Sequence, residues 1–164
     1  MRDQSGQTLL ETLLALSVSV FILGAITTVV VSSLSSAQFT KNKNLAGQYS
    51  REGMEIVRKI RDSGTWTAFS GINGLYCLSS GSTSLPSSSA SCPVPNIEGI
   101  FVREINITSS SSDCPGPTPP PIVPRGSKVI SKVSWTDGKC PSNVYCHKAE
   151  STTCFYRFDV KEAP

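Results

Sequence analysis

The chain has 164 residues, a formal net charge of +3, 38% hydrophobic and 7% aromatic content, and six cysteines. Beside a membrane-length helix, that length leaves room for one modest globular domain and no second core. The basic residues are scattered rather than gathered into a stripe with interleaved aromatics, so no nucleic-acid partner is expected.

The apolar residues are concentrated near the N-terminus. No charged residue occurs between positions 12 and 40, and residues 12–31 are dominated by Leu, Val, Ile, Ala and Phe. Twenty helical residues rising about 1.5 Å each span about 30 Å, the thickness of a bilayer hydrocarbon core, so this run is read as a membrane helix. A secretory signal peptide is the competing reading, because Ser35, Ser36 and Ala37 offer small residues of the kind a signal peptidase accepts. Its apolar region should be only about 7 to 15 residues long and follow clear positive charge. Here the run is longer, and the preceding segment sets Arg2 against Asp3. Glu11 stands one residue before the uninterrupted apolar run. A carboxylate that deep usually carries a partner or a role.

The segment Gly6-Gln7-Thr8-Leu9-Leu10-Glu11-Thr12-Leu13-Leu14-Ala15-Leu16 resembles the N-terminus of type IV prepilins and secretion-system pseudopilins. The resemblance implies a leader of residues 1–6, cut after Gly6 by prepilin peptidase, with Gln7 as the first mature residue and the candidate for N-methylation. The chain departs from the family at Gln7, where phenylalanine is usual. The resemblance also implies that Glu11, fifth in the mature chain, neutralises the terminal amine of a neighbouring subunit during assembly. Pairing two charges across subunits lowers the cost of burying either one alone. The implied partners are the peptidase, other pilin subunits, an inner-membrane assembly platform and, before assembly, the lipid bilayer. The implied location is the cytoplasmic membrane and then a pilus or related filament, with a minor subunit favoured over a major one. A pseudopilin of a secretion or DNA-uptake machine shares this N-terminus. The rival of another class is a non-assembling exported or anchored binding module.

Lys41, Lys43 and Arg51 follow the apolar run, and the positive-inside rule taken alone would keep the C-terminal domain in the cytoplasm. The six cysteines, Cys77, Cys92, Cys114, Cys140, Cys146 and Cys154, all lie beyond the apolar run. An even count in a small loop-rich domain beside an export signal predicts disulfides on an oxidising side, and that side is preferred.

After Leu34 the helical pattern resumes, with Leu45, Tyr49, Ile56, Val57 and Ile60 largely on one face of an amphipathic continuation over residues 35–62. Lys59, Arg61 and then Gly64 suit a helix end near Asp62. Loosening is expected near residues 32–36 or at Gly47. The stretch from Arg51 to Asp62, with Trp66 after it, also resembles a segment of minor pilin-like proteins. Its Arg51, Arg58 and Arg61 are read as a solvated face paired with Glu52, Glu55 and Asp62 rather than a nucleotide site.

Strands are predicted at residues 75–78, 99–107, 128–135 and 153–160, the third with Val129, Ser131, Val133 and Trp135 alternating against Ile130, Lys132 and Ser134. Ser/Thr/Pro-rich surface loops are predicted at 79–91 and 109–124. The fold class is therefore α+β: a long N-terminal helix packed on a C-terminal antiparallel sheet of about four strands over residues 63–164. The type IV pilin fold has this order.

His147 is the only histidine and adjoins Cys146, six residues after Cys140, but no Cys-x2-Cys spacing supports structural zinc. Disulfides joining Cys140 to Cys146 and Cys77 to Cys92 are the more plausible closures, although six cysteines allow fifteen pairings. A catalytic triad would have to recruit that same histidine from a Cys-rich loop, so neither enzymatic activity nor a cofactor or metal is expected. Asn106-Ile107-Thr108 matches a glycosylation acceptor and is read as a strand end. The loop bond after Arg125 is expected to be open to trypsin-like cleavage.

Overall fold

The structure is a computed structural model that describes residues 5–92, 95–115, 126–141 and 145–157, with backbone alone for residues 5–8. Arg125, residues 1–4 of the leader and most of the proline-rich loop lie outside the described residues. The first helix, α1, runs Ser5–Ser63 without interruption, so neither residues 32–36 nor Gly47 breaks it. A short α2 follows at Trp66–Ser70, which the sequence pattern does not mark. Thr65 caps it, its hydroxyl accepting from the Ala68 N–H at 3.3 Å, one of the N–H groups that a helix start leaves without a partner.

Among the described residues four strands follow: β1 Gly74–Cys77, β2 Phe101–Thr108, β3 Ser127–Trp135 and β4 His147–Phe155. They form one antiparallel sheet in the order β1-β2-β3-β4. The α+β fold is the one expected. The last strand differs from expectation: it begins six residues before Thr153 and ends at Phe155. Residues His147 to Thr152 are mostly polar and show no apolar alternation, because this edge strand is only half-buried on its inner face. Tyr156 and Arg157 lie beyond the strand, and residues 158–160 lie outside the described residues.

By its packing the chain divides into two compact units, Met1–Lys41 and Asn42–Pro164. In the second unit the C-terminal part of α1 packs on the sheet through Ala46, Ser50, Gly53, Met54 and Val57, all buried. The apolar residues predicted to face the core mostly flank this row: Val57 is buried, whereas Leu45, Tyr49, Ile56 and Ile60 are half-buried. Small residues hold the centre because the helix approaches the sheet closely there. A Cβ on Gly53 would lie 2.6 Å from Ser131 Oγ and 2.8 Å from Ile105 Cδ1.

Two apolar clusters fill the space between helix and sheet. One gathers Met54, Val57, Phe69, Leu78, Ile105, Ile107, Val129 and Phe155 with Tyr76, and the other Ala46, Ile97, Phe101, Val133 and Trp135. The β3 alternation is seen as predicted, with Ser127, Val129, Ser131, Val133 and Trp135 all buried. Aromatic edges lock both clusters, Phe69 against Phe155 at 5.7 Å and Tyr49 against Phe101 at 5.4 Å. On the opposite face of the sheet, Lys132 stands beside Glu104 and Glu150 in register and forms an ion pair with Glu104.

Three disulfides fasten loops to this frame: Cys77–Cys92, Cys114–Cys154 and Cys140–Cys146. The first ties the end of β1 to the Ser-rich loop, the second ties the segment after β2 to β4, and the third closes the β3–β4 connection.

The close approach at Gly53 gives a paired test. Gly53→Ala should lower stability by about 1–3 kcal/mol, the cost of overpacking exceeding the gain of about 1 kcal/mol in helix propensity. Gly47→Ala, where an added Cβ meets nothing within 4 Å, should raise stability by about 0.5–1 kcal/mol. Urea unfolding midpoints of the two variants check both signs.

Candidate functional site

Within the first unit, every described residue from Leu9 to Leu34 is exposed. Fifteen of these are large hydrophobics, from Leu9 at 64% exposure to Leu34 at 59%. Removing one such side chain from water contributes about 1.5–3 kcal/mol, so the row represents on the order of 20 kcal/mol of unrealised burial. That exceeds the roughly 5–15 kcal/mol by which a whole domain is stable. Among the described residues this is the one helix long and apolar enough to cross a membrane.

The polar side chains in the run are compatible with an apolar surrounding. Thr12, Ser17, Thr27 and Thr28 donate their hydroxyls to carbonyls three residues back, and Ser19 and Thr40 to carbonyls four residues back, at 2.8–2.9 Å. Each hydroxyl therefore carries its own acceptor into a medium that has none. Glu11 is exposed on the same helix, with apolar Leu9, Leu10, Leu13 and Leu14 around it in sequence. Gly6 and Gln7 belong to the helical backbone of α1.

The second unit carries a charged residue that hydrophobic patterning passes over. Arg103 lies on the inner face of β2, between Phe101 and Ile105, and is fully buried. Its guanidinium donates to the carbonyls of Leu78 at 3.4 Å, Tyr49 at 3.3 Å and Ser79 at 2.8 Å, and contacts Glu52 Oε2 at 3.1 Å. Burial lowers its pKa, while Glu52 acts to restore the charged form. Beside it, Ser50 on α1 donates to the Ser131 carbonyl at 2.8 Å and lies 3.0 Å from the Ser151 hydroxyl. Ser50, Ser131, Ser151 and Arg103 form a polar seam through the core. The signal for it was a charge at an inward position of an alternating strand, with apolar residues two away on each side.

Comparison of the chain with protein-family models, curated proteins and solved structures gives no match.

The basic residues of the helix end are distributed along an ordinary paired surface. Arg58 pairs with Glu55, and Arg61 with Asp62 at 2.6 Å while also lying 4.9 Å over the Phe155 ring. Glu52 is engaged by Arg103 instead of a neighbour on the helix. At the β3–β4 connection, His147 sits in register with Trp135, their rings 5.4 Å apart, and Asp137 Oδ2 lies 3.0 Å from His147 Nε2. The Lys139 N–H, donating to Asp137 Oδ1 at 2.9 Å, is the main reason the Asp137 carboxyl is held below its usual pKa. Desolvation opposes this, and His147 and the Cys140 N–H reinforce it. The Asn106-Ile107-Thr108 motif ends β2, with Asn106 and Thr108 exposed.

Arg103 serves three carbonyls and one carboxylate at once, whereas Glu52 is still 46% exposed. Arg103→Ala should therefore cost about 2–4 kcal/mol, because a cavity opens and buried carbonyls lose their donor. Glu52→Gln should cost under about 1 kcal/mol. Thermal unfolding of both variants measures the asymmetry, and equal losses would contradict it.

Proposed function

We propose that this protein is a structural subunit, of the minor pilin kind, in a type IV pilus or related envelope filament. In this reading prepilin peptidase cuts after Gly6, and the helix that follows holds the subunit in the membrane and then packs it against its neighbours. The observation that carries the reading is the exposed apolar surface of α1 from Leu9 to Leu34 with a single carboxylate, Glu11, near its start. A bilayer satisfies that surface before assembly, and equivalent helices of other subunits satisfy it afterwards.

The rest of the chain fits the same role. The head is fixed to the second part of α1 by close packing and by Arg103, so load on the helix passes into the sheet. Its three disulfides are those of a domain that matures in an oxidising compartment. Glu11 supplies the negative partner for the α-ammonium that cleavage would create at Gln7. Buried in a filament core, either charge alone is costly, and the pair across two subunits costs far less.

Intact mass of the protein extracted from its native envelope tests the processing. A chain lacking residues 1–6 supports the reading. A chain lacking residues 1–37 marks a secreted module, an unshortened chain marks a plain membrane anchor, and either result rejects the proposal. The assembly role of Glu11 is tested separately. Glu11→Ala should leave membrane insertion and cleavage intact and reduce incorporation into filaments about a hundredfold, corresponding to roughly 3 kcal/mol for an unpaired buried charge. Incorporation at the unmodified level, measured by quantitative immunoblotting of sheared filaments, would remove charge pairing from the mechanism.

A further inference from the structure

The β3–β4 connection brings together four side chains with metal-ligating chemistry: Asp137, Cys140, Cys146 and His147. One ligand atom from each lies within 4.8 Å of all the others. Cys140 and Cys146 are joined as a disulfide, so in this state the sulfurs are closed to a cation. The other two groups are already placed for one. Asp137 Oδ2 and His147 Nε2 are 3.0 Å apart. Two such atoms bound about 2.0–2.1 Å from a tetrahedral ion stand roughly 3.3 Å apart.

Both groups are held in position by the frame rather than by each other alone. The imidazole lies against the Trp135 ring, its register partner across the strands. The carboxylate is turned by the Lys139 N–H on its other oxygen, and the Cys140 N–H donates to the Asp137 carbonyl at 3.1 Å. An oriented carboxylate and an oriented imidazole meeting beside two sulfurs make a mixed sulfur, nitrogen and oxygen set, the kind that suits a borderline-soft divalent ion. The Asp137-x2-Cys140-x5-Cys146-His147 spacing lacks the short paired-cysteine pattern by which zinc sites are read from sequence. The strand register supplies the proximity instead.

We propose that reduction of the Cys140–Cys146 bond converts this connection into a mononuclear site for a zinc-class divalent cation, ligated by Cys140 Sγ, Cys146 Sγ, His147 and Asp137. A dithiol supplies the two electrons: the protein disulfide becomes two thiols, and the dithiol leaves as its own cyclic disulfide. On binding, the cation displaces the two thiol protons to solvent. Once the bond is broken the sulfurs must move apart to about 3.8 Å, the spacing of two thiolates each about 2.3 Å from a tetrahedral zinc. The connection is thus closed covalently in an oxidising medium and by a metal in a reducing one. Nothing in this inference depends on the membrane or filament role.

The test uses the full-length chain in detergent, reduced with a water-soluble phosphine, which becomes its oxide and does not hold zinc as a dithiol would. Alkylation by iodoacetamide is followed with zinc or with magnesium alone, and the chain is then digested with trypsin. Cleavage after Lys139 and Lys148 isolates Cys140 and Cys146 in one peptide, apart from the other four cysteines. Zinc should slow alkylation of that peptide about tenfold or more while Cys77, Cys92, Cys114 and Cys154 react as they do with magnesium. His147→Ala and Asp137→Asn should each raise the zinc concentration needed by about 10–100-fold. Cobalt in place of zinc should give the intense visible bands of a tetrahedral thiolate complex. Absence of protection, equal protection of all six cysteines, or protection indifferent to His147→Ala would overturn the proposal.

Discussion

Apolar side chains along α1 find two different kinds of neighbour. From Ala46 onward the sheet covers them, whereas the described residues from Leu9 to Leu34 are all exposed, an apolar surface whose cost in water exceeds the stability of an ordinary domain. By length and composition the N-terminal part of the helix could cross a membrane. Backbone chemistry permits this, because a helix satisfies its own N–H and C=O groups and the hydroxyls of Ser17, Thr27 and Thr28 return to carbonyls of the previous turn. The one acidic residue in the run, Glu11, is exposed among apolar neighbours.

The second unit meets a different difficulty, which is to seat a helix on a sheet in one register. A uniformly apolar interface would let the helix slide by a turn at small cost. The polar seam prevents this: Ser50 must meet Ser131 and Ser151, Gly53 must pass over Ser131 and Ile105, and Arg103 must reach the Tyr49 carbonyl. Displacing the helix by one turn would take the Tyr49 carbonyl and Glu52 away from Arg103 and separate the Ser50 hydroxyl from the Ser131 carbonyl. The penalty for an unsatisfied buried polar group, about 1–3 kcal/mol each, sets the specificity here, and the net stabilisation by the bonds themselves is smaller. The two apolar clusters on either side of the seam supply the bulk of the burial.

Much of the fold was legible because its strongest features are periodic. The apolar run of α1, its amphipathic continuation to about Asp62 and the alternation in β3 all follow from hydrophobic spacing. What escaped was decided by contacts between elements. β4 begins at His147 because β3 offers it a partner over nine residues, although its own side chains are largely polar. The innermost helix row reads as Ala, Ser and Gly, which hydrophobic patterning discounts and close packing requires. Arg103 was hidden for the opposite reason: a charged residue scores as surface until three carbonyls and Glu52 are found around it. At the candidate site, Glu11 and its setting were visible in the sequence. The convergence of Asp137 on His147 was not, since it depends on strand register.

Two features bear in opposite senses on the surroundings that would suit the chain. Lys41 and Lys43 are exposed just beyond the apolar run, and with Arg51 they would favour the side that holds anionic lipid by about 1 kcal/mol each. The three disulfides close loops of 6, 15 and 40 residues. By loop entropy they constrain the unfolded chain by on the order of 9 kcal/mol together, a figure comparable to the whole stability of a domain this size. In a reducing compartment that contribution would be lost, and the Ser-rich and β3–β4 loops would hang from the sheet without a covalent tie. The three disulfides therefore suit a head that matures in an oxidising environment, whereas the three basic residues taken alone point the other way.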